Sequence, residues 1–361
     1  MFRKHLVRLL AGLSVPLLAV IAALAVGAVM MLLLGADPIQ GYRALIGGSV
    51  GGADELADTA LRAMPLMLVG VGICIAFRAG VINIGGEGQI ILGAIFSTVV
   101  ALAVPDLPRI ILVPLVILAG AVGGGLWGAI PGALKAYAGV NEILSTIMLN
   151  IIAAQFLSFL LQDLLIEKGE SGIKIQQTKR LSENSDLPLL PGGTRLHLGV
   201  LVAIGVAVLG YFLLFRSARG MRLRSVGHNP DASRYAGMEV NKSIVEALAF
   251  SGACAGIAGA VLVFGSTSHR LIGEGGAAGF TQSAGFNGIV AALFGGLHPI
   301  YTIFSSFLFG GMLSGGVDLQ RELQVPSALI VALNGLIVVF VVSSLKLQRR
   351  VAARFGMETV T

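Results

Sequence analysis

The chain has 361 residues, 55% of them hydrophobic and 12% charged, with a formal net charge of +6 and a mean hydropathy of +0.88. A soluble domain carries about 25% charged residues, so the composition excludes one and predicts an all-α, polytopic transmembrane protein. The excess of Lys and Arg marks cytoplasmic loops rather than nucleic-acid binding, and five scattered histidines show no metal-ligand spacing.

A basic start (Arg3, Lys4, Arg8) precedes an apolar run from about Leu9 to Leu34. The apolar core of a signal peptide is about 7–15 residues long, so residues 1–34 are expected to form a retained first helix with a cytoplasmic N-terminus. Residues 35–61 carry Asp37, Asp54, Glu55 and Asp58 and read as an outside loop. The first half of the core is expected over residues 62–166, with a second span from Arg62 to Phe77 and a third from about Ile90 to Val104.

Between those two spans lies Arg-Ala-Gly-Val-Ile-Asn-Ile-Gly-Gly-Glu-Gly-Gln, residues 78 to 89. It holds four glycines, Asn83, Glu87 and Gln89 between flanks that offer no water. Unsatisfied polar groups in hydrocarbon cost several kcal/mol each. Such a stretch persists where it is packed in protein or lines a wet cavity, and glycine-broken segments at membrane depth mark translocation sites. The plainer reading is a cytoplasmic turn.

A fourth span, about Ile110 to Ile130, places Gly120, Gly124, Gly128 and Gly132 at four-residue steps. That ridge predicts close helix packing. The fifth span opens with Asn141, Glu142, Ser145, Thr146 and Asn150. These can share a face and either bind helices together or line a pathway. It ends near Ile166; residues 167–196 form the longest polar segment, outside by alternation. A sixth span covers about Leu198 to Phe215.

Residues 216–243 form the most basic loop, with Arg216, Arg219, Arg222, Arg224, Arg234 and Lys242. Within it Asn229, Pro230, Asp231, Ala232, Arg234, Tyr235, Ala236 and Gly237 belong to a short capped helix. Asn229 suits the N-cap, Pro230 the first turn, Asp231 the positive helix end and Gly237 the left-handed residue after the last turn. Two turns alone are unstable in water, so this helix must dock on something.

The second half of the core, residues 244–345, is expected to hold spans at about Ile244–Phe264, Gly285–Leu297, Tyr301–Gly316 and Ala328–Leu345, before a basic tail at 346–361. Gly273–Gln282 is glycine-rich with one carboxylate, Glu274, and resembles residues 78–89 in kind, as an internal repeat would. Its loose dinucleotide fingerprint lacks a βαβ setting. No P-loop sequence occurs. Ser266 and His269 are close in sequence, but spacing alone builds no activated serine.

Residues 78–94, 141–150 and 227–237, in that order, resemble the permease subunits of bacterial ABC importers for nucleosides and simple sugars, the nucleoside type most of all. The resemblance covers about Met64 to Leu345. It implies about ten helices in an importer fold of the second structural type, with no enzymatic activity in this chain. It implies a cytoplasmic ABC ATPase that binds ATP and Mg, a second permease subunit (a paralogue) and an extracytoplasmic substrate-binding lipoprotein. It implies the inner membrane as location and makes residues 229–237 the coupling helix, while the basic residues at both ends of the chain place both termini in the cytoplasm. Asn83, Glu87, Gln89, Asn150, Gln282, Phe286 and Asn287 are the expected pathway groups. Amides suit a neutral nucleoside, and an aromatic ring can stack on its base. The alternatives are a ribose-like sugar as cargo, or a secondary transporter coupled to protons through Glu87, Glu142 or Glu274.

Overall fold

The computed structural model describes residues 21–168, 174–273 and 279–326, and residues 328, 329, 332, 333, 335, 336, 339 and 340. The start of the expected first helix, Glu274 with its neighbours 275–278, and the basic tail lie outside the described residues. Apart from a short hairpin, β1 (Glu167–Lys168) with β2 (Lys174–Ile175), the regular elements among the described residues are helical. Among the described residues, seven helices are long and apolar enough to cross a membrane, or eight if one bent pair counts as a span.

The chain divides into two compact units, Met1–Thr59 with Phe309–Thr361, and Ala60–Leu308. In the first, the described end of the first helix, α1 (Ile21–Leu33), is followed by α2 (Pro38–Val50) at a bend of 118°. The expected outside loop is therefore corrected: residues 38–50 are helical, and the next helix, α3 (Ala53–Arg78), begins before Arg62. Asp37 caps α2 by accepting from the Ile39 N–H at 2.8 Å, and Pro38 occupies the first turn. The buried face of α2 is Gly41, Ala44, Gly48 and Ser49. Small residues at that spacing admit a neighbouring backbone. Ser49 Oγ donates to the Gly311 carbonyl at 2.6 Å, and a Cβ on Gly48 would lie 2.9 Å from Gly315 Cα.

The second unit is built on α4 (Gly86–Ala103), α5 (Arg109–Ala138) and α10 (Val240–Phe264). The glycine ridge of α5 meets α10 backbone to backbone. A Cβ on Gly124 would lie 2.6 Å from Gly256 Cα, one on Gly120 2.7 Å from the Gly256 carbonyl oxygen, and one on Gly132 3.0 Å from Val245 Cα. Gly256 is approached by α4 as well: a Cβ on Gly93 would lie 2.7 Å from the Gly256 carbonyl carbon. Water drives little helix association inside lipid, so dispersion across such contacts carries the assembly. Around this core stand α6 (Glu142–Asp163) and α7 (Gly199–Arg216), followed by α8 (Ala218–His228) and the short α9 (Pro230–Tyr235).

Two further helices follow, α11 (Ala284–Phe294) and α12 (Pro299–Leu323). The expected span at 285–297 is corrected in length. At 1.5 Å per residue α11 is only about 16 Å long, half of an apolar core of about 30 Å.

Candidate functional site

The site begins where α3 stops. Gly80 takes φ +77 and closes the helix end: its N–H bonds the Phe77 carbonyl at 3.1 Å, and the Val81 N–H bonds the Ala76 carbonyl at 3.1 Å. The chain then turns back along α3. Gly86, the first residue of α4, sits against Val69, its Cβ position 3.3 Å from Val69 Cγ1. Val69 lies nine residues before the end of α3, roughly 13 Å along the helix axis. Residues 79–85 therefore re-enter the membrane layer, and α4 starts within it.

Re-entrant backbone needs partners for each polar group, and polar side chains supply them. Asn83 is fully buried; its amide donates to Gln89 Oε1 at 2.9 Å and Ser251 Oγ at 2.8 Å, and its oxygen accepts from the Gly85 N–H at 2.9 Å. Gln89 is equally buried and returns a bond to Asn83 at 3.2 Å. Asn150 reaches across from α6, donating to the Ile84 carbonyl at 2.9 Å and accepting from the Gly88 N–H at 2.8 Å.

Glu87 joins this knot to a second one. Its Oε1 accepts from the N–H groups of Gly285 at 2.8 Å and Phe286 at 3.3 Å, the opening turn of α11. The contact requires glycine, because a Cβ on Gly285 would lie 2.8 Å from the Gly86 carbonyl carbon and 2.9 Å from Glu87 Cα. α4 and α11 thus meet N-terminus to N-terminus within the membrane layer, with one carboxyl group where both helix dipoles are positive. From there α11 runs back to the end of α3, where Arg78 Nε donates to the Leu297 carbonyl at 3.1 Å. Helix ends that converge inside a membrane are the usual frame of a transport site.

The expected pathway residues divide. Asn83, Glu87 and Gln89 are buried in the knot, and Asn150 brackets it. Phe286 is 47% exposed, Asn287 half-buried, and Gln282 exposed, accepting from Arg62 Nη1 at 3.3 Å. Gln282 and Ser283 both have positive φ, 48 and 58, just before α11. Glu142 pairs with Lys135 at 2.9 Å, and Asn141 caps α6. Sequence reading missed Ser251, Arg62 and Trp127, whose buried Nε1 has no hydrogen-bond partner among the described residues. Ser251 and Trp127 sit in apolar, glycine-rich helices without a distinguishing pattern. Arg62 is distinctive as a charge but was read only as the start of a span.

On the side of the α3 end, Asn229 caps α9 by accepting from the Ala232 N–H at 3.0 Å, and Gly237 at φ +80 ends it. Asp231, Ala232, Arg234, Tyr235 and Ala236 are all exposed, Tyr235 by 94%. Only Ser233 of this helix is buried. The preceding helix touches the re-entrant turn directly. A Cβ on Gly227 of α8 would lie 2.7 Å from Gly80 N, and one on Gly80 2.9 Å from Gly227 Cα.

The opposite ends of the helices are roofed by the segment that holds the hairpin. Arg270 pairs with Glu167, His269 Nδ1 lies 2.7 Å from Asp186, and the Leu181 N–H bonds the His269 carbonyl at 2.8 Å.

Residues 56–342 match the family described as the permease component of the branched-chain amino acid transport system. The guanosine ABC transporter permease protein NupP of Bacillus subtilis is 37% identical over 94% of this chain and 95% of its own. The chain belongs to this family of ABC transporter permeases. The permease is also 32% identical to the nucleoside ABC transporter permease protein NupB of Lactococcus lactis, over 91% of this chain and 90% of that one. It is 32% identical to the glucose ABC transporter permease protein TsgB13 of Haloferax volcanii, over 91% of this chain and 87% of that one. No solved structure matches it.

Proposed function

We propose that this permease carries a nucleoside through the inner membrane as one subunit of an ATP-driven importer. A cytoplasmic ATPase binds ATP and Mg, a second permease subunit completes the pathway, and an extracytoplasmic lipoprotein delivers the cargo. Both termini and residues 216–243 face the cytoplasm, and the hairpin segment lies outside. The observation that supports this reading most is the meeting of α4 and α11 at Glu87, beside the exposed Phe286 and the half-buried Asn287. A nucleoside is neutral, flat at the base and rich in hydroxyls. An exposed ring offers stacking, and Asn287 and Gln282 offer amides without net charge. The relatives named for guanosine and nucleosides agree with that chemistry.

Movement enters through α9. A helix of six residues is too short to stand alone, and the exposed Tyr235 supplies an aromatic anchor for a groove in the ATPase. ATP-driven closure displaces α9, α8 carries the displacement to Gly80, and the re-entrant knot opens as rigid helices rock.

The relative named for glucose favours a second reading, a simple sugar as cargo. Proteoliposomes holding the whole complex and its binding protein, given labelled guanosine or glucose, decide between them. ATP-dependent guanosine uptake that resists a protonophore is expected. Uptake of glucose alone overturns the nucleoside assignment, and uptake abolished by the protonophore overturns ATP coupling.

A further inference from the structure

At the end of α7 two guanidinium groups share one aromatic ring. Arg78 lies 5.5 Å and Arg224 5.3 Å from the centroid of Phe215. Neither arginine forms an ion pair among the described residues. Arg78 spends its Nε on the Leu297 carbonyl and directs Nη2 at Gly296. The Arg224 side chain makes no hydrogen bond among the described residues, although its Nε is buried. His298 stacks on the same ring at 5.1 Å, and its Nδ1 is buried without a hydrogen-bond partner among the described residues. Burial first, and the charge of Arg78 second, hold its imidazole below the usual range.

Buried donors without acceptors cost about 1–3 kcal/mol each, and two unpaired like charges beside one ring add repulsion. An anion relieves both. The place fits a particular kind of anion. Arg78 and Phe215 close the ends of two membrane helices, and the exposed Phe212 and Tyr301 stand beside them, where aromatic belts meet headgroups. Arg216, Arg219 and Arg222 are exposed close by in the chain and extend the positive field. Basic groups clustered just beyond a membrane helix recognise anionic headgroups.

We infer that Arg78, Arg224 and His298 around Phe215 form a binding site for a phosphate group, as carried by an anionic phospholipid headgroup or by free phosphate. The site itself does not depend on membrane orientation. Only its assignment to the cytoplasmic leaflet rests on the topology proposed above.

The full-length chain, with whatever subunits accompany it, is purified from nanodiscs of phosphatidylcholine containing phosphatidylglycerol in both leaflets, and retained lipid is counted by native mass spectrometry. Arg224→Gln is expected to lower retained phosphatidylglycerol about fivefold, and Arg224→Lys to keep most of it. Arg195→Gln, an exposed charge outside this basic cluster, is expected to change nothing measurable. The Arg224 side chain has no hydrogen bond to lose among the described residues, so its variants should fold even where Arg78→Gln does not. Retention that depends on Arg224 and survives excess inorganic phosphate identifies the headgroup. Retention abolished by inorganic phosphate, with phosphate raising the melting temperature of the wild type but not of Arg224→Gln, identifies free phosphate. Equal lipid retention in Arg224→Gln and wild type, without phosphate stabilisation, overturns the site whatever the orientation.

Discussion

The carboxyl oxygen of Glu87 accepts the N–H of Gly285 at 2.8 Å, across 198 residues of sequence. One side chain thereby ties the starts of α4 and α11 together. Glu87→Ala leaves the N–H groups of Gly285 and Phe286 without that acceptor, a cost of about 1–3 kcal/mol. We expect uptake to fall at least about tenfold, with a lower melting temperature in detergent. Glu87→Gln keeps an acceptor oxygen and should retain more stability than transport. If both variants transport at the wild-type rate, the junction lies outside the pathway.

Gly124→Leu should prevent assembly of the membrane core, since even a Cβ there lies 2.6 Å from Gly256 Cα. Gly205→Ala in α7, where a Cβ meets nothing within 4 Å, serves as the control. Yield and melting temperature in detergent report the difference. A stable Gly124→Leu protein would show that α5 and α10 do not pack as described.

Tyr235→Ala and Gly237→Val should leave the permease folded while weakening its hold on an ATPase. Tyr235 is 94% exposed, so its loss removes little from the fold. Gly237 has φ +80, which a β-branched residue resists. Co-purification of the ATPase and substrate-stimulated hydrolysis in liposomes measure the effect. Full coupled transport in both variants would reduce α9 to a connector.

His197 gives a pH signature. It is 4% exposed, its Nδ1 accepts the Gly199 N–H at 3.1 Å, and burial lowers its pKa from 6.5 to about 4. Between those values the unfolded chain binds a proton that the folded one refuses, so stability falls with acidification from about pH 6.5 to about pH 4 and is fully present above that window. His197→Asn should flatten this part of the profile. Melting temperature against pH in detergent is the measurement; an unchanged slope in the variant assigns the dependence to other groups.

The features that read correctly from sequence are local or periodic ones. α9 was legible because Asn229, Pro230 and Gly237 encode a capped helix within nine residues. The α5 ridge was legible because its glycines repeat every four residues. α2 was missed because it buries Gly41, Ala44, Gly48 and Ser49, a face defined by smallness and invisible to hydropathy. The apolar run after Gly285 read as a full span, yet α11 begins part-way through the membrane layer, and depth leaves no mark on composition. Asn83, Gln89 and Asn150 were singled out as polar groups in an apolar setting. Nothing local indicated that Asn83 bonds Ser251, 168 residues away.

Gly80 and Gly227 meet with no side chain between them, their backbones closer than any Cβ would allow. A joint made of side chains has slack, because rotamers absorb small displacements before the backbone moves. Two bare backbones have none. Under the coupling proposed above, a push on α8 would reach Asn83, three residues beyond Gly80, without backlash. The same joint fixes a tolerance. Gly227→Ala would force the two backbones apart, and under the coupling proposed above a loosened fit would let an ATPase move without moving the cargo.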